Sequence, residues 1–176
     1  DEKLLTEIDI AYNDNLGFIT ASPSNLGTGM RASVMLFLPA LERRGELEIM
    51  KKEVLSNNCT IRGLFGEESQ KYGGFYQISN QNSLGKSEEE ILDEVSEQIY
   101  SICEMEMSAR EDILSSDHLK LKDEIYRAYG VLKECAMLDE VEMIKLLSLV
   151  KFGGALGFFK INEKELEKLF YEGSSA

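Results

Sequence analysis

The chain has 176 residues, 43% hydrophobic and 9% aromatic, enough for one domain, or one domain with a small appendage, around a substantial core. Its net charge of −13 argues against nucleic acid or an anionic membrane as partner, because either requires a basic surface. The longest apolar run, near residues 34–41, is interrupted by Pro39 and too short to span a bilayer, and no signal peptide is visible.

The first 15 residues read as an element already under way, so the chain is expected to begin inside a larger protein. Up to about residue 86, strand-like runs at 17–21, 32–38, 60–65 and 74–79 alternate with glycine turns. One helix interrupts them at about 45–57, with Leu47, Met50 and Val54 at helical spacing. Beyond residue 86 the pattern is helical. Ser87 and Glu90 form a capping box, and Ile91, Val95, Ile99 and Ile102 mark one apolar face.

A polar break at Ser115, Ser116 and Asp117 precedes a second helix carrying Leu121, Ile125, Tyr129 and Leu132. Asp139 and Glu142 open a third, with Val141, Ile144, Leu147 and Val150 inward and Gly153, Gly154 and Gly157 at its end. Asn162 and Glu165 cap a last helix bearing Leu166, Leu169 and Phe170. The fold class expected is α+β, an antiparallel sheet flanked by helices and followed by a helical extension.

Cys59, Cys103 and Cys135 lack metal or disulfide spacing and read as free, buried thiols in a reducing cytoplasm. His118, the single histidine, lies in a polar junction and reads as an exposed surface residue. The helical stripes, and Met105, Met107, Met137 and Met143, read as core filling before any cofactor groove.

The stretch from Ser22 to Ser33 joins a turn, two glycines and an arginine that opens an apolar strand. Glycines 27 and 29 leave backbone amides open to an anion, and Arg31 follows them. Arg62 lies in a strand before Gly63, which leaves room for a ligand beside the sheet. A guanidinium is a permanently charged fork that holds two phosphate oxygens at once, as phosphoryl transfer requires. Both arginines could instead serve in surface ion pairs. Glu67 could orient a guanidinium and accept its proton, or be a solvated loop acid. Residues 69–74 read as a lid or as an ordinary hairpin loop. Ser22 has no histidine or lysine near it in sequence to act as base, which speaks against nucleophilic serine chemistry.

These residues resemble the C-terminal part of the catalytic domain of the ATP:guanido phosphotransferases, the family of phosphagen kinases and bacterial protein-arginine kinases. The resemblance runs from about Leu16 to Ala109 and includes Pro23-Ser24-Asn25-Leu26-Gly27-Thr28-Gly29, Arg31-Ala32-Ser33-Val34, Arg62-Gly63, Gly66-Glu67 and Gln77-Ile78-Ser79-Asn80. Ser79-Asn80-Gln81 with Leu84-Gly85-Lys86-Ser87-Glu88, and the helices over 116–172, are most similar to the bacterial protein-arginine kinases. The resemblance implies residues 1–112 as the C-terminal portion of a guanido kinase catalytic domain and 113–176 as a helical extension.

It further implies ATP as phosphoryl donor, Mg2+ held mainly through ATP oxygens, and an arginine-containing protein or free arginine as acceptor. Arg31, Ala32, Ser33, Val34 and Met35 would line the nucleotide site, continued by Arg62, Gly63, Leu64, Phe65 and Gly66. Glu67 would hold the acceptor guanidinium. Ser22 stands where the family usually has a cysteine close to that guanidinium. Further arginines and a second glutamate, upstream in the family, are not in this chain, so it is expected to be an inactive fragment by itself. A small-molecule arginine kinase and a non-catalytic nucleotide-binding or interaction module are the alternatives. The helices after residue 116 could form a packed extension or a homodimer interface.

Overall fold

The computed structural model describes residues 7–63 and 73–173. A short hairpin, β1 (Tyr12–Asn13) and β2 (Gly17–Phe18), pairs antiparallel with Tyr12 opposite Phe18. The Asn13 side chain closes its turn by accepting the backbone N–H of Asn15 and Leu16 (2.9 and 3.2 Å). A 3-10 turn at Pro23–Asn25 follows, then β3 (Ser33–Phe37), α1 (Pro39–Arg44), α2 (Leu47–Ser56), β4 (Cys59–Gly63) and β5 (Phe75–Asn80). The rest is helical: α3 (Glu88–Glu134), α4 (Glu140–Ala155) and α5 (Glu163–Gly173). An antiparallel sheet with helices and a helical C-terminal region is thus the architecture expected.

The sheet order is β3-β5-β4. Asn80 N–H donates to the Ala32 carbonyl (3.3 Å) and Leu38 N–H to that of Gly74 (2.7 Å), so β3 and β5 run oppositely. Gln81 N–H to Asn58 O (2.8 Å) and the Thr60–Ser79 hydroxyl pair (3.0 Å) set the β5–β4 register in the same sense.

Two compact units share these elements. The first holds residues 7–36, 48–62 and 77–102. Its interior contains Met50, Val54, Cys59, Ile78, Ile91, Val95 and Ile102, all buried. The capping box forms as expected: Ser87 N–H reaches the Glu90 carboxylate (2.7 Å), and Glu90 N–H returns to the Ser87 hydroxyl (3.1 Å). On the inner face of α3 the buried position is Gln98, with Ile99 half-buried.

The second unit holds residues 37–47, 63, 73–76 and 103–173. The short helix α1 lies where the apolar run had concealed it. Proline suits its first position, and Gly45, read as the start of the next helix, ends it in the left-handed conformation (φ 73°). The buried Glu106 carboxylate accepts the Ala40 and Leu41 N–H groups (3.1 and 3.0 Å) and is paired with Arg110 (2.7 Å). Arg110 also donates to the Phe37 carbonyl (3.3 Å), so one ion pair holds the helix start. Phe37 and Phe75 meet tilted, with ring centroids 4.8 Å apart, and Phe75 meets Phe170 edge-on at 5.2 Å.

The expected break near residue 116 takes the form of a kink inside α3, where Asp117 departs from helical dihedrals (φ −128°, ψ 22°). The Ser115 and Ser116 hydroxyls both donate to the Asp112 carbonyl (2.9 and 2.8 Å), competing with the helix's own donors. Asp139 caps α4 by accepting the Glu142 N–H (2.9 Å), as its sequence indicates. Ile144, Leu147 and Val150 face inward, but Val141 in the first turn is exposed. His118 is exposed and edge-on to Phe158.

Gly153 and Gly154 do not end α4; the helix runs through them to Ala155. At Gly153 a Cβ would lie 2.4 Å from the Ile125 methyl and 3.0 Å from the Phe159 ring, so the glycine is there for close packing. Ile125 is fully buried and has nowhere to move. Gly153→Ala should therefore destabilise the fold by about 1–3 kcal/mol. Gly130→Ala in α3, where nothing lies within 4 Å of the new atom, should stabilise it by about 0.5–1 kcal/mol. Denaturant unfolding of the two variants checks both signs.

Candidate active site

Side chains alternate along a strand, so Thr60 and Arg62 share one face of β4, Gln77 and Ser79 one face of β5, and Ser33 and Met35 one face of β3. Cross-strand bonds show that these are the same face of the sheet. Arg31 Nη2 donates to Ser79 Oγ (3.2 Å), Ser79 and Thr60 share a hydroxyl bond (3.0 Å), and Gln77 Nε2 donates to Ser33 Oγ (3.0 Å). The opposite face carries Cys59, Tyr76 and Ile78, all buried. The face that carries the two arginines thus holds Ser33, Thr60, Gln77 and Ser79 together with the apolar Met35, Phe37 and Phe75.

Arg31 and Arg62 are both exposed. The chain has six arginines, and Arg43, Arg44, Arg110 and Arg127 each pair with a carboxylate. Among the described residues no carboxylate pairs with Arg31 or Arg62. Guanidinium groups with no carboxylate partner among the described residues suit an anion with several oxygens. The ion-pair alternative for these residues thus has no partner among the described residues.

The other expected site residues divide by strand parity. Ser33 and Met35 lie on the arginine face, whereas Ala32 and Val34 alternate to the other side. Gly63 ends β4. Leu64, Phe65, Gly66 and Glu67 lie outside the described residues. Ser22 is exposed at the start of the 3-10 turn, its hydroxyl 2.8 Å from that of Ser24 and its carbonyl accepting the Thr20 hydroxyl (2.7 Å).

The loop from Ser22 to Met30 is pinned at several points. Phe18 N–H donates to the Gly27 carbonyl (2.7 Å), and Gly27 N–H returns to Phe18 (3.3 Å). The buried Ser83 hydroxyl reaches the Leu26 carbonyl (3.0 Å). Gly27 is required here: its φ is +110°, and a Cβ would sit 2.6 Å from the Ser83 carbonyl oxygen. Composition marked Gly27 as a loop residue, but the backbone it must clear is far along the chain.

The second unit contains a cleft of about 310 Å³ lined by Glu42, Arg43, Gly74, Glu124, Lys145 and Ser148, among others. Its polar groups are matched internally. Arg43 pairs with Glu124 (2.7 Å), and the Ser148 hydroxyl bonds the Gly73 carbonyl (2.9 Å). Glu42 is bonded to Tyr76, and burial raises its carboxyl above the usual range. The open arginine face is the better candidate.

Residues 1–109 match the family model described as the ATP:guanido phosphotransferase C-terminal catalytic domain, and residues 118–176 match the protein-arginine kinase McsB C-terminal domain. The chain belongs to the ATP:guanido phosphotransferase family. It is 42% identical over 177 residues to the protein-arginine kinase of Clostridium kluyveri, covering 100% of this chain and 51% of that protein. To the protein-arginine kinase of Bacillus subtilis it is 39% identical over 160 residues, covering 91% and 44%. The chain thus spans about half the length of the curated relatives it matches. Among solved structures it is similar to the duplicated taurocyamine kinase from Schistosoma mansoni with bound transition state analog components. That likeness has a TM-score of 0.52 at 34% identity, over 61% of this chain and 15% of that one.

No group of three or more His, Cys, Asp or Glu among the described residues is arranged to hold a metal ion. The three cysteines are free and differ in burial: Cys59 is buried, Cys103 half-buried and Cys135 exposed, which corrects the expectation of uniformly buried thiols. Burial also raises the Cys59 thiol above its ordinary value. A thiol-specific reagent applied to the native protein should label Cys135 readily and leave Cys59 unlabelled until denaturant is added. Mass spectrometry of the labelled peptides checks the order.

Proposed function

We propose that this chain is the nucleotide-side portion of a kinase that transfers the γ-phosphoryl group of ATP to a guanidinium nitrogen of arginine in protein substrates. The observation that carries this reading is the pair of guanidinium groups, Arg31 and Arg62, on one sheet face, neither paired with a carboxylate among the described residues. The relatives, named protein-arginine kinases, support arginine as the acceptor.

In this reading Arg31 and Arg62 hold phosphate oxygens, and Ser33 and Met35 line the nucleotide together with the backbone from Ala32 to Val34 and from Gly63 to Gly66. When bound, Mg2+ offsets phosphate charge through ATP oxygens. Glu67 orients the acceptor guanidinium and takes the proton lost as the new P–N bond forms. The bond from the γ-phosphorus to the oxygen bridging it to ADP breaks, and ADP departs with that electron pair. Ser22 stands beside the acceptor with a neutral hydroxyl. Residues 1–112 form the catalytic portion and 113–176 the helical extension, with a homodimer contact through its helices. The enzyme works in the cytoplasm, and the remaining substrate-binding groups come from outside this chain, so the chain alone does not turn over.

The test uses a full-length polypeptide containing this chain, with ATP and either an arginine-rich protein or free arginine as acceptor. Phosphoarginine is expected on the protein. Turnover of free arginine alone would replace the protein acceptor with a small one. Arg31→Ala should weaken ATP binding by about 1.5–3 kcal/mol, the worth of a charged hydrogen bond. Calorimetric titration reads this as a roughly tenfold or greater rise in Kd. Unchanged affinity in both Arg31→Ala and Arg62→Ala would refute the phosphate clamp.

A further inference from the structure

We infer that Ser79 and Asn80, at the end of β5, are positioning residues that set the direction of Arg31 toward the nucleotide phosphates. This rests on the phosphate-clamp reading of Arg31.

Ser79 is 1% exposed, so its hydroxyl has no access to bulk water. Its two partners are Arg31 Nη2 (3.2 Å) and Thr60 Oγ1 (3.0 Å). A hydroxyl has one proton and two lone pairs. Whichever hydroxyl donates between Ser79 and Thr60, Ser79 keeps a lone pair for Arg31, and the contact with Thr60 restrains the Ser79 side chain. The guanidinium keeps its other N–H groups for an anion, because Ser79 takes only Nη2.

Asn80 acts on the backbone of the same residue. It is 8% exposed, and its side-chain oxygen accepts the Ala32 N–H (2.8 Å) while its amide donates to the Met30 carbonyl (3.2 Å) and that of Asn82 (3.4 Å). The acceptor and donor partners fix which amide atom is oxygen. Met30 and Ala32 flank Arg31, so one side chain grips the main chain on both sides of the arginine. Ser79 Oγ then restrains the far end of that arginine. A long side chain otherwise loses much rotamer freedom when it binds, and restraint before binding lowers that cost.

A double-mutant cycle on ATP affinity, in the full-length polypeptide, separates positioning from mere stability. Ser79→Ala should raise the ATP Kd about 3- to 10-fold, in the range of one lost hydrogen bond. In an Arg31→Ala background the same substitution should change Kd less than twofold, because there is no guanidinium left to aim. Ser79→Thr, which keeps the hydroxyl, should restore affinity. Asn80→Asp keeps the acceptor for Ala32 N–H but cannot donate to Met30, and should show the same dependence on Arg31. If Ser79→Ala does not fold, Thr60→Val tests the same restraint. An equal loss in both backgrounds overturns the inference and leaves these residues with a structural role alone. If Arg31→Ala itself leaves ATP affinity unchanged, the clamp reading falls first and the positioning role falls with it.

Discussion

A slip of one residue in β5 would move Gln77 and Ser79 to the face now held by Tyr76 and Ile78 and carry those two out of their packing. The register of this central strand between β3 and β4 is therefore the constraint on which the site depends. It is held by apolar burial on one side, with Ile78 fully enclosed, and by the Arg31–Ser79–Thr60 bonds on the other. Neither face would specify the pairing as strongly alone. Together they couple core packing to the placement of two arginines from different strands.

The features legible in the sequence are those whose partners lie a few residues away. The Ser87–Glu90 box and the Asp139 cap each close within one helical turn, so local chemistry was enough to locate them. The helix Pro39–Arg44 was hidden, because its N-terminal amides are satisfied by Glu106, more than sixty residues later. Gly153 misled for the same reason. Glycine ends helices often enough to suggest a stop, and only the position of Ile125 shows that it serves close contact instead.

Within the candidate site the same division holds. Arg31 and Arg62 stood out because glycines flank them, but strand parity and register were needed to show that they share a face. Those also separated Ser33 and Met35 from Ala32 and Val34, which the sequence had grouped as one lining segment. Ser79 and Asn80 were visible as part of a motif without a role, since a serine and an asparagine at a strand end usually mark only a turn. Their burial and their bonds around Arg31 give them one.

An acidic chain can hold a polyanion if its negative charge is placed elsewhere. With 32 acidic residues and a net charge of −13, there are carboxylates enough to pair with every arginine. Yet the carboxylates near α1 and α3 engage Arg43, Arg44, Arg110 and Arg127, and the arginine face lacks a described partner. At physiological ionic strength, charges separated by more than about 8 Å are largely screened. Acidic groups farther away than that act weakly on this face, whereas a guanidinium touching a phosphate oxygen would act much more strongly. The distribution of charge, more than its sum, decides which ligand the sheet can hold.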